Sequence, residues 1–214
     1  GKKNHILGMR RFSIQHPKTR NYLMEKLIHD TNRRYGVLAP RYHFVDVSVN
    51  GDSWGLMALE EHFSKEMYES QQRKEGVVIR FDESLMWSIE SEEPPDFPNP
   101  YKNYIINHID SFRSSRISKS KKLSVENSLA VGLLRGFIED NLSVSEVFDT
   151  ELYGRFLAVN TLWVSGHGLH FINLRFYYNP ITAKLEPISW DAMGGNFDQK
   201  LLTVGLSPGY EHLS

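Results

Sequence analysis

The dipeptide Asn50-Gly51 is the feature that most restricts how this chain of 214 residues can fold. It separates two stretches, 41–49 and 53–60, in which apolar and polar residues tend to alternate. Both central residues of a type I′ turn need positive φ angles, which Asn and Gly tolerate better than other residues. The sequence therefore predicts an antiparallel β-hairpin in the first quarter of the chain.

Helical spacing of apolar residues surrounds this hairpin. A helix is predicted over 17–36, between Pro17 and Gly36, because proline favours a helix start and glycine a helix end. The residues expected on its apolar face are Tyr22, Leu23, Leu27 and Ile28. A second helix is predicted over 61–76, followed by a short apolar strand over 77–81.

The second half of the chain is predicted to be mainly helical. Acidic residues and prolines concentrate in 88–100, which indicates a linker or a surface loop. The helices expected after it cover 100–112, 124–141 with Ser124 as the N-terminal cap, and 143–165. Two strands, 174–179 and 184–190, are then joined by the residues Pro-Ile-Thr-Ala.

These elements together predict a mixed α+β fold, rich in sheet first and in helix later. The expected divisions are 1–87, with a helix, a hairpin, a helix and a strand, then the linker or loop 88–100, and then 101–214, which carries the last hairpin. The chain begins without Met, so it is expected to be part of a longer protein.

Composition excludes several classes of function. The formal net charge is −1 and the basic residues are scattered, so nothing requires nucleic acid as a partner. No apolar run approaches the roughly 20 residues of a membrane-spanning helix, so no membrane span is expected. The chain has no cysteine, which excludes disulfides, thiolate metal sites and a cysteine nucleophile and leaves the compartment open.

The last hairpin carries the strongest signal for chemistry. Asp191 follows its second strand, and Asn173 precedes its first, so antiparallel pairing brings the two residues to the same end. Carboxylate and amide oxygens suit Mg²⁺, which takes few protein ligands and leaves the others to water and phosphate. The alternative is that Asp191 only caps a turn through backbone N–H groups.

The loop before the hairpin, HGLHFIN over 167–173, resembles the loop HGD-L-H-x-x-N of aminoglycoside-phosphotransferase-like kinases. It lacks the Asp that would orient the acceptor hydroxyl. His167 or His170 could take its place as a general base, because an imidazole titrates near neutral pH. The alternative for either histidine is a structural role with backbone hydrogen bonds.

Three blocks of the chain resemble the CotH kinase family, which is named after spore coat protein H. They are 8–36, 42–69 with 76–83, and 173–191. The resemblance implies an atypical protein-kinase-like fold with two lobes, ATP and Mg²⁺ as cofactors, and transfer of phosphate to a protein hydroxyl. It also implies a secreted protein or one at the cell surface or spore coat, with a protein substrate or a coat protein as partner.

The resemblance also implies roles for individual residues. Glu61, or Glu60 in the other register, matches the acid that holds the ATP-binding lysine. Asp191 and Asn173 match metal ligands, and Trp190 falls where an aromatic side chain could pack on adenine or on the core. Without the family, the two glutamates would be interpreted as the start of the next helix, where acids favour the helix dipole.

Two departures from the family pattern bear on catalysis. The family's Arg-Gly-x-Ser-Ser segment and its lysine strand would precede Gly1, which implies truncation at the N-terminus. Residues 165–167, Ser-Gly-His, occupy the place of the catalytic Asp. An inactive, pseudokinase-like scaffold or surface-assembly module is therefore the alternative to an active kinase, and a calcium-binding or carbohydrate-associated domain, from the acidic residues 90–96, is a third hypothesis.

Two arginines near the last hairpin are further candidates. Arg80, in the strand 77–81, falls where related chains carry a basic residue near the cleft and could contact a phosphate. An ordinary surface role is the alternative. Arg175 allows the same two interpretations and lies close to Asn173 in sequence.

Overall fold

The computed structural model describes residues 4–84 and 108–195, and it confirms a mixed α+β fold built on two antiparallel sheets. The first sheet has the order β1-β3-β2, with β1 Phe12–Gln15, β2 Tyr42–Val49 and β3 Asp52–Glu61. The second has the order β5-β4-β6-β7, with β4 Val78–Phe81, β5 Ile109–Ser111, β6 Arg175–Asn179 and β7 Lys184–Ile188.

Six α-helices of the described ranges flank these sheets. They are α1 Met24–Arg34, α2 Lys65–Glu69, α3 Ser114–Ile117, α4 Lys121–Ile138, α5 Val144–Val147 and α6 Thr150–Leu162. Single 3₁₀ turns cover Pro17–Arg20, His167–Leu169 and Phe171–Asn173. Within the same ranges, none of these helices has the length and apolar character needed to cross a bilayer.

The first hairpin is confirmed in detail. Strands β2 and β3 pair from Tyr42 opposite Glu60 to Val49 opposite Asp52. Asn50 and Gly51 between them have φ angles of 53° and 93°, both positive as the turn requires. The turn residues thus fix the pairing next to the turn, and the register shifts once further along, at an irregularity between Val47 and Ser48.

The first predicted helix is shorter than expected, and its apolar face was predicted wrongly. Asn21 and Tyr22 adopt left-handed φ angles of 52° and 56°, so α1 begins only at Met24. This break separates Tyr22 and Leu23 from the helix register, and they are 54% and 60% exposed. Of the four predicted residues, only Ile28 is buried.

The second predicted helix is also shorter. Ser64 caps α2 by accepting from the backbone N–H of Met67, and the helix ends at Glu69. Glu60 and Glu61 are the last residues of β3 and pair with β1 and β2. The alternative in which the two glutamates begin a helix is therefore wrong.

The boundaries of the later helices need two corrections. Ser120, and not Ser124, caps α4, because its hydroxyl accepts from the N–H of Leu123. The single helix predicted over 143–165 is divided into α5 and α6 by Phe148, which is extended and forms a parallel bridge to Leu185 of β7. A contact with the sheet thus interrupts a pattern that is continuous in sequence.

A helix is predicted over 100–112, of which the structure describes 108–112. The prediction is wrong there, because Ile109–Ser111 form β5. Ile109 pairs with Phe81 at the edge of the second sheet and is buried there. The predicted linker 88–100 lies outside the described residues. Strand β4, which precedes it in sequence, pairs with both β5 and β6, so the second sheet draws on both sides of that segment.

The main core fixes the position of the last hairpin. Aromatic and aliphatic side chains fill the space between the second sheet and the later helices, among them Phe81, Leu134, Phe148, Phe156, Phe176 and Leu185. A smaller cluster lies on the other side of the sheet and includes Phe63, Tyr68, Tyr177 and Ile188, with Trp190 against it. Because β6 and β7 are buried on both faces, the residues at their ends are held firmly.

Candidate functional site

Asp191 lies in a strained turn just after β7. Its φ angle is 47° and that of Met193 is 44°, in the left-handed region that residues other than glycine rarely adopt. Ala192, between them, is fully buried. Residues 191–195 are called the Asp191 turn below, and such strain persists only where the surroundings hold the backbone in place.

Two carboxylates share one guanidinium at this turn. Nη1 of Arg20 forms an ion pair with Oδ1 of Asp191, and its Nε lies 3.8 Å from Oε2 of Glu60. The side-chain amide of Gln15 donates to the same Glu60 oxygen, at 2.7 Å. The 3₁₀ turn after β1, the end of β3 and the end of β7 therefore meet at a single cation.

Electrostatics separate the two carboxylates. Burial raises the pKa of Glu60 above its ordinary value, although His29 and Arg20 oppose that shift. Burial also acts to raise the pKa of Asp191, but the contact with His167 and the Arg20 charge outweigh it, so the net pKa is lowered. Asp191 is thus the more strongly ionised of the two at neutral pH.

His167 completes the group on the other side of Asp191. Its Nε2 lies 3.6 Å from Oδ2 of Asp191, and this contact raises the pKa of His167 although partial burial opposes it. Asn173 donates its side-chain amide to the backbone oxygen of His167, at 2.9 Å. His170 is exposed, with its ring 5.0 Å from that of Phe171, so His167 is the histidine paired with Asp191.

Asn173 and Asp191 are therefore joined through His167. Within residues 4–84 and 108–195, no hydrogen bond connects the two side chains directly. Asn173 is buried and its amide nitrogen is used by the backbone of His167. Within the described ranges its amide oxygen accepts no hydrogen bond.

A buried glutamate lies behind the Asp191 turn. The carboxylate of Glu25, in the first turn of α1, accepts from the backbone N–H of Ala192 at 2.9 Å and from that of Met193 at 3.1 Å. His29, one helical turn further on, places Nε2 3.0 Å from Oε1 of Glu25. Burial acts to raise the pKa of Glu25, but His29 and the two N–H groups outweigh it and lower the pKa.

Other contacts fix the remainder of the turn. The hydroxyl of Ser165 donates to the backbone oxygen of Ala192, at 2.5 Å. The side-chain amide of Asn21 donates to the backbone oxygen of Gly194, at 2.8 Å. The turn is thus held both by the segment before α1 and by the loop after α6.

Glu61 is placed on the other face of β3 from Glu60. Its carboxylate is fully buried and pairs with Arg41, whose Nε donates to Oε2 at 2.8 Å. Neighbouring residues of a strand point to opposite faces, which explains why Glu60 faces Arg20 and Glu61 does not. Of the two glutamates, it is therefore Glu60, the residue of the alternative register, that shares Arg20 with Asp191.

The two candidate arginines lie side by side on the second sheet. Arg80 and Arg175 are direct partners in the β4–β6 pair, and their guanidinium carbons lie 5.1 Å and 5.6 Å from the centre of the Phe112 ring. Arg80 is near Glu83, at 3.5 Å, and Asp110, at 3.4 Å. Arg175 is only 5% exposed, unlike an ordinary surface arginine, and burial lowers its pKa to about 10.

Trp190 connects the aromatic cluster to the charged group. Its ring lies 5.0 Å from that of Phe63, which in turn contacts Phe112. The guanidinium carbon of Arg20 lies 5.4 Å from the centre of the Trp190 ring, within the range of a cation–π contact. The tryptophan therefore packs on the core and also borders the Asp191 site.

Arg20 and Glu25 are the residues of the site that sequence reasoning missed. Arg20 gives no local signal, because its partners are distant in sequence and only the folded chain brings them together. Glu25 has a weak one: an acid in the first turn of a helix, with a histidine four residues later on the same face. That spacing indicates a local pair but not its contact with Ala192 and Met193.

The donor set permits a divalent cation of the magnesium type. In the part of the chain that the structure describes, no group of three or more His, Asp or Glu residues could hold a metal ion by itself. Oε1 of Glu60 is buried without a hydrogen-bond partner, beside the ion pair of Arg20 with Asp191. Carboxylate oxygens are ligands that Mg²⁺ takes, together with several water or phosphate ligands.

The fold and the site define an α+β protein in which an acid after the last hairpin, Asp191, and an acid at the end of β3, Glu60, share Arg20. The family described as CotH kinase protein matches residues 2–199, which is most of the chain. The chain therefore belongs to the CotH kinase family. No curated protein matches it in a direct sequence comparison.

Proposed function

We propose that this chain is an atypical kinase domain that binds ATP with Mg²⁺ and transfers phosphate to a protein hydroxyl. Membership of the CotH kinase family supports this, and the carrying observation is the Asp191 carboxylate, held at the end of β7 with Glu60 and His167 around it. In this proposal the first sheet with α1 is one lobe, and the second sheet with α4 to α6 is the other.

The metal ligands in this proposal are Asp191 and the amide oxygen of Asn173, with Glu60 close by. Mg²⁺ bound there would neutralise charge on the phosphates of ATP. Arg20, which pairs with both carboxylates, would contact a phosphate once the metal shared those carboxylates. Phosphoryl transfer depends mainly on such positioning and charge neutralisation.

The base in this proposal is His167, whose imidazole lies beside Asp191. A base must be neutral to accept a proton, and Asp191 holds the pKa of His167 above its ordinary value. Its activity is therefore expected to rise with pH through that raised pKa. His170 is the second candidate for this role, and Trp190, at the border of the site, is the candidate for packing against the nucleotide base.

Calorimetry with ATP and MgCl₂ tests the binding step. The wild type is expected to bind ATP only with Mg²⁺, and Asp191→Asn is expected to weaken that binding by about tenfold or more. Asp46→Asn, at an exposed aspartate of β2, is the control and should leave the affinity unchanged. Equal affinity in the wild type and in Asp191→Asn would refute the site.

The second candidate function is an inactive scaffold that keeps the fold and the nucleotide. The observation that favours it is the loop 165–173, which contains no Asp and whose paired histidine has a raised pKa. Incubation with γ-labelled ATP and dephosphorylated casein separates the two functions. Transfer of label that Asp191→Asn abolishes supports the kinase, and Mg²⁺-dependent binding without self-labelling or transfer supports the scaffold.

A further inference from the structure

We infer that Glu25 is a positioning residue for Asp191: its buried carboxylate holds the left-handed backbone that aims the Asp191 side chain at Arg20 and His167. The inference rests on the proposed function, because it concerns the same site. It adds a residue that lies outside the motif of the last hairpin. Glu25 reaches that site from helix α1, on the far side of the turn.

The contacts of Glu25 are directed at the backbone beside Asp191. Its Oε2 accepts from the N–H of Ala192 at 2.9 Å and from that of Met193 at 3.1 Å, and its Oε1 lies 3.2 Å from the first of these nitrogens. Within 4–84 and 108–195, no other group accepts from these two amides. Both of the backbone N–H groups that follow Asp191, those of Ala192 and Met193, therefore donate to the same carboxylate.

These two amides lie where the backbone is strained. Asp191 and Met193 have φ angles of 47° and 44°, a region in which the Cβ atom is crowded. A residue keeps such a conformation only when surrounding contacts outweigh its cost. Without Glu25, the N–H of Ala192 would be left buried without an acceptor, and the turn would relax to satisfy it. The N–H of Met193, a residue that is 39% exposed, would turn to water instead.

A change of these backbone angles would move the Asp191 carboxylate. Ser165 and Asn21 hold the carbonyl oxygens of Ala192 and Gly194, so the end of the turn stays anchored when Glu25 is altered. The rotation would therefore fall on Asp191 itself. Its contacts with Arg20 and His167 both depend on where that single carboxylate points.

His29 lies beside Glu25 on α1. It is fully buried, as Glu25 is, and its Nε2 lies 3.0 Å from the oxygen that is turned away from Met193. The pair lies one helical turn apart on α1, so the helix itself sets the direction of the carboxylate. Helix α1 thus supports the Asp191 turn through the carboxylate of Glu25.

Amide hydrogen exchange tests this hold without any ligand. In the wild type, the amides of Ala192 and Met193 are expected to be protected, and rapid exchange there would overturn the inference with no variant needed. In Glu25→Gln, which keeps the shape but loses the charge and one acceptor, exchange of both amides is expected to be about tenfold faster or more.

The matched control is Glu186→Gln. Glu186 is also a buried acid in an ion pair, with Arg73 at 2.8 Å, but it lies on β7 away from the Asp191 turn. This variant should lose global stability while exchange at Ala192 and Met193, relative to global unfolding, stays unchanged. Equal acceleration in both variants, after that correction, would mean that Glu25 has only a general structural role.

Affinity for ATP with Mg²⁺ tests the consequence for the site. Glu25→Gln is expected to weaken binding by about tenfold, as Asp191→Asn does, while Glu186→Gln keeps the wild-type affinity. Faster exchange with unchanged affinity would overturn the positioning role. If the wild type itself does not bind ATP with Mg²⁺, the proposed function fails, and the exchange result then decides the inference about Glu25 by itself.

Discussion

His167 places its Nε2 3.6 Å from Oδ2 of Asp191, and this relationship joins the loop after α6 to the end of the last hairpin. Asn173 holds the backbone of the loop by donating to the carbonyl of His167. The pKa of His167 therefore depends on the charge and position of the Asp191 carboxylate. Any change that moves or neutralises Asp191 should be visible in the titration of His167.

The pKa of His167 should fall when Asp191 loses its charge. The close contact with Asp191 and the charge of its carboxylate raise this pKa in the folded protein, against the effect of partial burial. In Asp191→Asn the pKa is expected to return to about 6.5 or below. Titration of the imidazole signals by NMR measures the shift, and an unchanged pKa in the variant would show that the carboxylate is not its cause.

The contact between His167 and Asp191 makes a contribution to the free energy of unfolding that depends on pH. Because the folded pKa of His167 is raised, its contribution is fully present below the unfolded value of about 6.5. It is lost as the pH rises through the folded pKa. Urea unfolding across this window should therefore show a decline in the wild type that is reduced in Asp191→Asn.

Gly194 is predicted to accept no side chain. A Cβ atom there would lie 2.5 Å from the backbone oxygen of Trp163 and 2.7 Å from Cδ1 of Ile28, so the turn would have to shift. Gly194→Ala is expected to lower the free energy of unfolding by about 1–3 kcal/mol. The control is Gly154→Ala in α6, where nothing lies within 4 Å and the change should stabilise by about 0.5–1 kcal/mol. Equal unfolding midpoints for the two variants would contradict the close packing of the Asp191 turn.

Local patterns predicted the elements of this fold better than their contacts. The Asn50-Gly51 turn and the pairing of the last two strands depend on neighbouring residues, and both predictions are confirmed. The helix predicted over 143–165 is divided because Phe148 contacts Leu185, a partner that no window around Phe148 contains. Short-range propensity is outweighed where a long-range contact fixes the backbone.

Dependence on long-range contacts also explains why only part of the candidate site could be predicted from the sequence. Asp191 could be predicted from the sequence because the strand before it and the glycines after it are its neighbours in the chain. Arg20 and Glu25 belong to the first part of the chain, and their contacts with residues 191–193 depend on how the segment 17–34 packs against α6 and the Asp191 turn. Which of the two glutamates faces Arg20 depends on the register of β3, and one residue of register exchanges the faces.

Asn173 should contribute to stability through the loop it holds. Its amide donates to the carbonyl of His167 in a buried environment, so Asn173→Ala is expected to cost about 1–3 kcal/mol. Asn141→Ala is the control, because Asn141 is exposed and should stay within about 0.5 kcal/mol of the wild type. Chemical denaturation measures both. A neutral Asn173→Ala would argue that the side chain is kept for its oxygen and not for the loop.

Arg41 should be far more important for stability than a surface cation, because it neutralises Glu61. The carboxylate of Glu61 is fully buried, whereas the Arg41 side chain is partly exposed, so Arg41→Met leaves an uncompensated buried charge. The expected loss in the free energy of unfolding is about 3–5 kcal/mol. Lys65→Met removes the exposed partner of Glu69 and should cost less than about 1 kcal/mol. A further variant, Arg41→Met with Glu61→Leu, should recover much of the loss, since replacing both members of a buried pair is often close to neutral. If the double variant is as unstable as Arg41→Met alone, Arg41 stabilises the protein through its contacts with the backbone of Leu7 and Gly8 instead.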